Sequence, residues 1–308
     1  MQQTVSIVIP CYNQAHYLRQ SIESAVGQTH PSTDVIVVDD GSTDDTAAVA
    51  AAYADVRCVR QDNRGPSGAR NAGLSVARGA FVIVLDADDR LLPWAATRGV
   101  ASLQSDPTAA FAVGLERRID ADGAPLPTHR RRPLQGDAYA SLVRRCWIMP
   151  PGAVVFRRSI LEAIGGFDPS LVCAEDYDVY LKLARRWPII DHYTEVVEYR
   201  QHPGTLSRRA DRMLMQTMRV LAPHQPRRHA SAAHHAAWRA RDNVVWYFDR
   251  LGDQIAADLK AGHWRRALRG VGVFVSCLPQ HRRYAAARLI APLRRTLRLI
   301  ATRRLAAS

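Results

Sequence analysis

The chain has 308 residues, of which 47% are hydrophobic, so it is long enough to bury one large core, with or without an extension. No apolar run approaches the roughly 20 residues that span a bilayer, and the first residues lack the charged and apolar regions of a secretory signal. The five cysteines are scattered and form no CxxC pair, which argues against a structural zinc site or a disulfide framework. These features predict a cytoplasmic protein.

The net charge of +13 is unevenly distributed along the chain. Through His202 there are 21 Lys and Arg against 24 Asp and Glu, a balance of −3, whereas from Pro203 onward there are 21 against 5, a balance of +16. Such a change in composition indicates a domain boundary. We predict one domain at residues 1–210 and a basic helical extension at residues 211–308.

The first 120 residues alternate between strand and helix patterns. Short apolar runs predict strands, which lie at residues 5–9, 34–38, 56–59 and 81–85. Helical periodicity or capping signals separate them, at residues 16–26, 42–53 and 68–77. This order predicts an α/β fold with a Rossmann-like, mixed but mostly parallel sheet flanked by helices.

Three aspartates follow the fourth strand directly: Asp86, Asp88 and Asp89. They must emerge at the carboxyl end of that buried strand, and this edge is where open α/β sheets bind ligands. Clustered carboxylates suit Mg²⁺ or Mn²⁺, which share their coordination with substrate phosphates. The cluster therefore indicates a nucleotide-phosphate site. The alternative is a polar turn before a helix that starts after Pro93.

Two neighbouring strand ends carry chemistry that complements this cluster. The first strand ends at Pro10 and is followed by Tyr12, and the second ends in Asp39 and Asp40. An aromatic ring, an acidic pair and a metal-binding cluster at one sheet edge can hold a base, a ribose and a pyrophosphate. Neither a Gly-rich dinucleotide fingerprint nor a Walker motif occurs. We therefore expect metal, and not a glycine loop, to neutralise the phosphates.

The middle of the chain gives fewer signals. Three arginines at residues 130–132 are typical of a solvated loop, although they also suit an anionic acceptor. Beyond them, residues 152–156 are predicted to be a strand, residues 159–164 a short helix and residues 189–199 another strand.

A second acidic group begins a helix between these last two elements. Glu175 and Asp176 stand in its first turn, where the helix dipole alone favours acids. The functional alternative is a general base at the mouth of the nucleotide site. The last predicted strand leads to His202, a lone histidine of the kind that is more often structural than catalytic.

Taken together, these motifs resemble those of the family 2 glycosyltransferases. The matching segments follow the family order across about 200 residues: VSIVIPCYN (5–13), VVDDGSTD (37–44), GARNAG (68–73), LDADD (85–89), GGFD (165–168), ED (175–176) and YRQH (199–202). Residues beyond about 210 carry no motif of the family. The resemblance implies the GT-A fold, which binds nucleotide sugars.

The resemblance also implies a role for each motif residue. Nucleotide contacts are implied for Pro10, Tyr12, Asp39, Asp40, Arg70 and Asp86. Metal ligands are implied at Asp88, Asp89 and His202, with Mg²⁺ or Mn²⁺ as the cofactor. The implied catalytic base is Asp176, supported by Glu175.

The implied reaction is the inverting transfer of a sugar from a nucleoside-diphosphate sugar to an acceptor hydroxyl, on the way to a cell-surface polysaccharide or lipid-linked glycan. Asp40 suits the N–H of a uracil-like base, which favours a UDP- or dTDP-sugar. One alternative is a catalytically silent nucleotide-sugar-binding or scaffold protein on the same fold. Another is a nucleotidyltransferase, which usually needs a Gly-rich basic loop that residues 10–15 lack.

The basic extension has helical periodicity, best at residues 233–257 and 284–305. A basic amphipathic helix binds an anionic membrane surface, which would place the protein at the inner face of the cell membrane and fit a lipid-linked acceptor. The alternative is that these helices pack on the catalytic domain and their arginines are solvated. Nucleic acid is the least favoured partner, because no nucleic-acid motif accompanies the charge.

Overall fold

The computed structural model describes residues 3–128, 130–202 and 209–277. Within them, nine strands form a single sheet. The strands are β1 (Val5–Cys11), β2 (Thr33–Asp39), β3 (Val56–Arg60), β4 (Phe81–Val84), β5 (Arg90–Leu91), β6 (Phe111–Ile119), β7 (Pro125–Leu126), β8 (Val154–Arg157) and β9 (Ile189–Arg200).

Eleven α-helices cover or extend this sheet in the same described residues. They are α1 (Ala15–Val26), α2 (Thr46–Ala51), α3 (Gly65–Val76), α4 (Ala95–Ser105), α5 (Ala138–Arg144), α6 (Arg158–Ala163), α7 (Glu175–Ala184), α8 (Ala210–Leu221), α9 (Ala232–Ala240), α10 (Asp242–Lys260) and α11 (Trp264–Cys277).

The strand order is β3-β2-β1-β4-β8-β6-β9-β5, with β7 paired to β6. The long ladders are parallel, namely β1 with β2 and β4, β2 with β3, and β6 with β9. Short antiparallel ladders place β8 between β4 and β6 and add β5 and β7. The central strands are runs of Val and Ile buried on both faces, as expected of a sheet covered by helices. The predicted fold class is confirmed.

Several element boundaries differ from the sequence prediction. Strand β6 was not predicted, because its apolar first half runs into the charged residues 116–118. Strand β8 begins two residues later than predicted, because Pro151–Ala153 forms a 3₁₀ turn. The helix predicted at residues 233–257 is broken into α9 and α10 at Arg241, which has a φ of +36°. The helix predicted at residues 284–305 lies outside the described residues.

A close contact between α3 and β1 fixes the helix that carries Arg70. Gly73 faces the strand, and a Cβ atom at this position would lie 2.2 Å from Cγ1 of Val8 and 3.2 Å from Cγ2 of Val38. Only glycine lets the helix approach this closely. The register of Arg70 along the sheet edge therefore depends on the absence of one methyl group.

The C-terminal helices pack on the same core as the sheet. Leu214 of α8, Phe248 of α10 and Phe274 of α11 are buried in one continuous apolar cluster with the strands. The rings of Phe248 and Phe274 meet edge to face, with centroids 4.9 Å apart. Among the described helices, none combines the length and apolar character that a bilayer crossing requires.

Candidate active site

Strands β1, β2 and β4 are adjacent and parallel, so their carboxyl ends open on one edge of the sheet. Pro10 and Cys11 end β1, and Cys11 lies opposite Asp39, the last residue of β2. Tyr12 follows with 50% of its surface exposed. The strand ends therefore converge as the sequence predicted.

The two carboxylates at the end of β2 are buried and accept hydrogen bonds from the loops around them. Asp39 Oδ1 accepts a hydrogen bond from the backbone N–H of Ser42 at 2.8 Å. Asp40 Oδ1 accepts from the backbone N–H of Arg64, just before α3, at 2.8 Å and from Nε2 of Gln61 at 2.7 Å. Its second oxygen, Oδ2, accepts no hydrogen bond from the described residues. Asp40 therefore keeps one acceptor for a ligand.

The carboxylates of Asp86, Asp88 and Asp89 converge after β4. One oxygen from each lies within 4.8 Å of the others. Burial, together with the neighbouring carboxylates, raises the pKa of Asp88 and holds that of Asp89 well above its usual range. Such a cluster gains stability from a cation between the oxygens, and carboxylate ligands of this kind suit Mg²⁺ or Mn²⁺.

The burial of Asp89 is a second observation that fits a cation at this cluster. It is 1% exposed, and its Oδ1 accepts from the backbone N–H of Arg200 at 2.9 Å. Its Oδ2 is buried and has no hydrogen-bond partner in the described part of the chain. A buried carboxylate oxygen without a partner is costly. The residues present therefore fit the divalent ion that the sequence predicted.

His202 follows β9 and closes the cluster from the other side. Its Nε2 lies 2.8 Å from Oδ2 of Asp88, and its ring packs near Tyr17, with centroids 5.2 Å apart. The structure thus brings the predicted histidine to the predicted acidic cluster. Its role as a metal ligand stays a prediction.

Arg200 is fully buried beside this cluster, and the sequence prediction gave it no role. Its guanidinium donates to the carbonyl oxygens of Asp88 at 2.7 Å and Ala121 at 2.9 Å, and to Oε1 of Gln20 at 2.8 Å. It therefore fixes the backbone of the acidic cluster to β9 and α1. Its position in the YRQH segment was the one available signal, since sequence does not distinguish a buried arginine from a solvated one.

Arg70 of α3 links the acidic cluster to α7. It is 5% exposed, and its guanidinium donates to Oδ1 of Asp86 at 2.9 Å and to Oε1 of Glu175. Burial opposes its charge, but Glu175 and Asp86 outweigh that effect and raise its pKa. The sequence assigned Arg70 to the nucleotide, and the structure ties it to two carboxylates. A contact with phosphate stays a prediction.

Asp176 stands in the first turn of α7, after Ala174, whose φ of +61° lets the chain turn into the helix. Its Oδ1 accepts from the backbone N–H of Tyr177 at 2.7 Å. Burial, and then the charge of Glu175, raise the pKa of Asp176 to about 7, although Arg70 acts in the opposite direction. A carboxylate with a pKa near neutrality is well matched to accept a proton at physiological pH.

Residues 6–165, slightly more than half of the chain, match the sequence family described as Glycosyl transferase family 2. The chain belongs to this family. The match includes the strand ends that carry Tyr12, Asp40 and the acidic cluster, whereas Asp176 and His202 lie beyond it. The predicted family membership is confirmed.

Relatives of this family 2 chain include a chondroitin synthase from Escherichia coli, which is 32% identical over 188 residues. The alignment covers 60% of this chain and 27% of the synthase. The chain thus spans about a quarter of that relative's length, and it also spans less than two thirds of the other leading curated relatives.

Two solved structures have the same fold. TarS 1-349 of S. aureus, in complex with UDP-GlcNAc, has a TM-score of 0.65 at 18% identity, covering 95% of this chain and 90% of that one. The mannosyltransferase PcManGT from Pyrobaculum calidifontis, in complex with GDP-Man and Mn2+, has a TM-score of 0.62 at 21% identity, with coverages of 96% and 88%. These similarities establish the fold.

Proposed function

We propose that this chain is a metal-dependent, inverting glycosyltransferase, which moves a sugar from a nucleoside-diphosphate sugar to an acceptor hydroxyl. The observation that carries the proposal is the set of contacts from the acidic cluster through Arg70 to Glu175, which precedes Asp176 in the first turn of α7. Family membership supports sugar transfer, and the chondroitin synthase relative supports a polysaccharide product. The complexes of TarS with UDP-GlcNAc and of PcManGT with GDP-Man support a nucleotide-sugar donor.

The nucleotide would lie along the ends of β1 and β2. Tyr12, which follows Pro10 and is half exposed, offers a ring for stacking on the base. Asp40 offers its unused oxygen to a base N–H, which favours uracil or thymine and hence a UDP- or dTDP-sugar. Asp39 holds the loop after β2 in place through Ser42.

Asp86, Asp88 and Asp89, with His202, would hold Mg²⁺ or Mn²⁺. When bound, the ion would supply positive charge beside the departing diphosphate. The chain's own contribution is to keep the ligand oxygens converged before substrate arrives. Arg200 fixes the backbone at Asp88, and Arg70 holds the carboxylate of Asp86.

Asp176 would act as the general base. The acceptor oxygen forms a bond to the anomeric carbon while the bond from that carbon to the diphosphate oxygen breaks, and the electron pair leaves with the diphosphate. The acceptor's proton passes to the carboxylate of Asp176. One displacement of this kind inverts the anomeric centre. Glu175 is held in an ion pair with Arg70, so its part is to orient the site and not to attack the sugar.

We further propose that residues 1–210 carry the chemistry and that residues 211–308 form an extension that faces an anionic membrane. On α11, Trp264, Leu268 and Val275 are all more than half exposed. Their spacing places them on one side of the helix, and the buried Ala267 and Phe274 lie about a quarter turn away around its axis. Residues 261–308 contain eleven arginines and no acidic residue. An apolar stripe among arginines suits a lipid surface and a lipid-linked acceptor at the inner face of the cell membrane.

A donor panel tests the proposed reaction. Full-length protein with Mn²⁺ is mixed with UDP-, dTDP- and GDP-sugars, and binding is measured by calorimetry alongside release of free nucleoside diphosphate. We expect one donor class to bind and to release its diphosphate, and the release to depend on Asp176. Binding without any release, in the presence of candidate glycan acceptors, would instead identify a silent nucleotide-sugar-binding protein.

A further inference from the structure

A surface cavity lies between α4 and the middle of strands β6 and β9. It has a volume of about 480 Å³, which is in the range of small-molecule sites. Its wall includes two aromatic and four charged side chains: Trp94, Arg98, Arg117, Arg130, Tyr193 and Glu195. These residues belong to none of the contacts that build the acidic cluster.

The charge of this cavity is strongly positive, because three arginines face one carboxylate. Arg117 Nε lies 2.6 Å from one oxygen of Glu195, and a terminal nitrogen of Arg130 lies 2.8 Å from the other. In the described part of the chain, each of these guanidiniums makes only that one hydrogen bond, and the side chain of Arg98 makes none. Several N–H donors therefore remain for an anion, and guanidinium matches carboxylate geometry well.

Arg131 anchors the loop that brings Arg130 to the cavity. Arg131 forms two hydrogen bonds with Asp191, at 2.5 and 2.6 Å, and its guanidinium lies 4.5 Å from the ring centroid of Trp147. The arginine cluster at residues 130–132 thus contains one structural arginine and one that lines the cavity. The contacts of Arg131 therefore anchor the backbone next to Arg130.

The backbone is irregular at the same place. The β6–β9 register shifts on both sides of Leu115, and Tyr193 has a φ of +53°, which is uncommon for a residue with a bulky side chain. Bulges redirect side chains, and strained residues are concentrated at binding sites. Leu115 and Tyr193 both line the cavity. The irregularity therefore shapes its wall.

We propose that this cavity binds an acidic glycan, that is, a saccharide chain bearing carboxylates. The arginines would bind the carboxylates, while Trp94 and Tyr193 offer flat surfaces to the sugar rings. Five residues of β9 separate Glu195 from Arg200, a distance of about 16 Å along the strand. The cavity is therefore a secondary site that holds a polymer away from the reacting sugar. This role rests on the proposed glycosyl transfer.

The test measures glycan binding by the full-length protein. The probes are a chondroitin oligosaccharide, as the carboxylate-bearing chain, and maltohexaose, as a neutral chain, both in 0.15 M salt to screen the basic extension. The triple variant Arg98→Ala, Arg117→Ala and Arg130→Ala should bind the chondroitin probe at least about tenfold more weakly than the unsubstituted protein. Thermal unfolding verifies that the variant is folded, and the single variant Arg130→Glu should show the same direction of change.

Arg78→Ala is the matched control. Arg78 is exposed just before β4 and does not line the cavity, so its loss should change chondroitin affinity less than twofold. Equal binding by the triple variant and the unsubstituted protein would overturn the proposal, as would no binding of the chondroitin probe or equal binding of maltohexaose. Asp176→Asn should keep full affinity for the chondroitin probe. Because this assay contains no donor, a failure of the unsubstituted protein to turn over any donor would contradict the proposed reaction and leave the result for this cavity unchanged.

Discussion

Arg70 gives two adjacent carboxylates different properties. Glu175 takes the ion pair with Arg70, whereas Asp176 is left with a pKa of about 7. Two neighbouring acids whose environments push their pKa values apart are typical of sites in which one group stays charged and the other moves a proton. This difference fits the proposed roles, in which Glu175 orients the site and Asp176 accepts the proton.

Removal of the proton acceptor should affect turnover and not donor binding. Asp176→Asn keeps the shape of the side chain but cannot accept the acceptor's proton, so we expect a loss of about two orders of magnitude or more in kcat. Calorimetry should show donor affinity within a fewfold of the unsubstituted protein. Equal kcat values for the two proteins would remove Asp176 from this role.

The pH dependence of kcat/KM also tests whether Asp176 accepts the proton. Only the ionised form of Asp176 accepts a proton, and its pKa is raised to about 7. In the unsubstituted protein kcat/KM should therefore rise with pH, tenfold per unit below about pH 7, and level off above it. The residual activity of Asp176→Asn should lack this rise, and an unchanged profile in that variant would contradict the assignment.

The acidic cluster should couple metal to nucleotide. Asp88→Ala removes a carboxylate that the structure places against both its acidic neighbours and His202. We expect the variant to lose the Mn²⁺-dependent part of donor binding in calorimetry with and without the ion. Tyr53→Phe is the control, because Tyr53 follows α2 and its hydroxyl donates to Glu23 of α1. This change should leave the metal-dependent part of donor binding intact. Unchanged metal dependence in Asp88→Ala would argue against the cluster as the cation site.

Much of the site was predictable residue by residue, because short carboxylate motifs at strand ends carry their chemistry in sequence. The partners of these residues were not. Nothing in the local pattern shows that Arg70 binds Glu175, which is 105 residues away, or that Arg200 lies beneath Asp88. Such pairings depend on how distant elements pack, and sequence periodicity does not record that packing.

At the scale of the elements, α3 shows how the packing of a helix against a strand places a site residue. It bears Arg70 near its middle, and its approach to β1 depends on Gly73. The strand–helix alternation and the parallel sheet followed from periodicity, while β6 escaped prediction because charged residues interrupt its apolar pattern. Its pairing with β9 is decided by tertiary contacts and not by local propensity.

Two glycine substitutions should have opposite effects on stability. Gly73→Ala forces a methyl group against Val8, and overpacking of this kind costs about 1–3 kcal/mol. Gly272→Ala in α11 meets no atom within 4 Å, so the higher helix propensity of alanine should stabilise the fold by about 0.8 kcal/mol. Denaturant unfolding measures both changes, and a neutral Gly73→Ala would show that α3 can shift without loss.

At the scale of the whole molecule, two substitutions in α11 test the proposed membrane contact. Trp264→Gln with Leu268→Gln removes the two most exposed residues of the apolar stripe of α11 but keeps every arginine. We expect weaker sedimentation with vesicles containing phosphatidylglycerol, and weak binding of all proteins to neutral phosphatidylcholine vesicles.

Val26→Gln is the control for this measurement, because Val26 is similarly exposed but ends α1, far along the chain from the extension. It should sediment like the unsubstituted protein. If the α11 double variant sediments equally well, the stripe is not the membrane contact.

The burial of Leu214, Phe248 and Phe274 in the sheet's own cluster has a practical outcome for engineering. A chimera that joins the tail of another family member at residue 210 would replace part of this core. It would leave apolar surfaces without matching partners on both sides of the junction. Exchange of the C-terminal helices would therefore require redesign of α5 and α7, which contact α9 and α8 respectively.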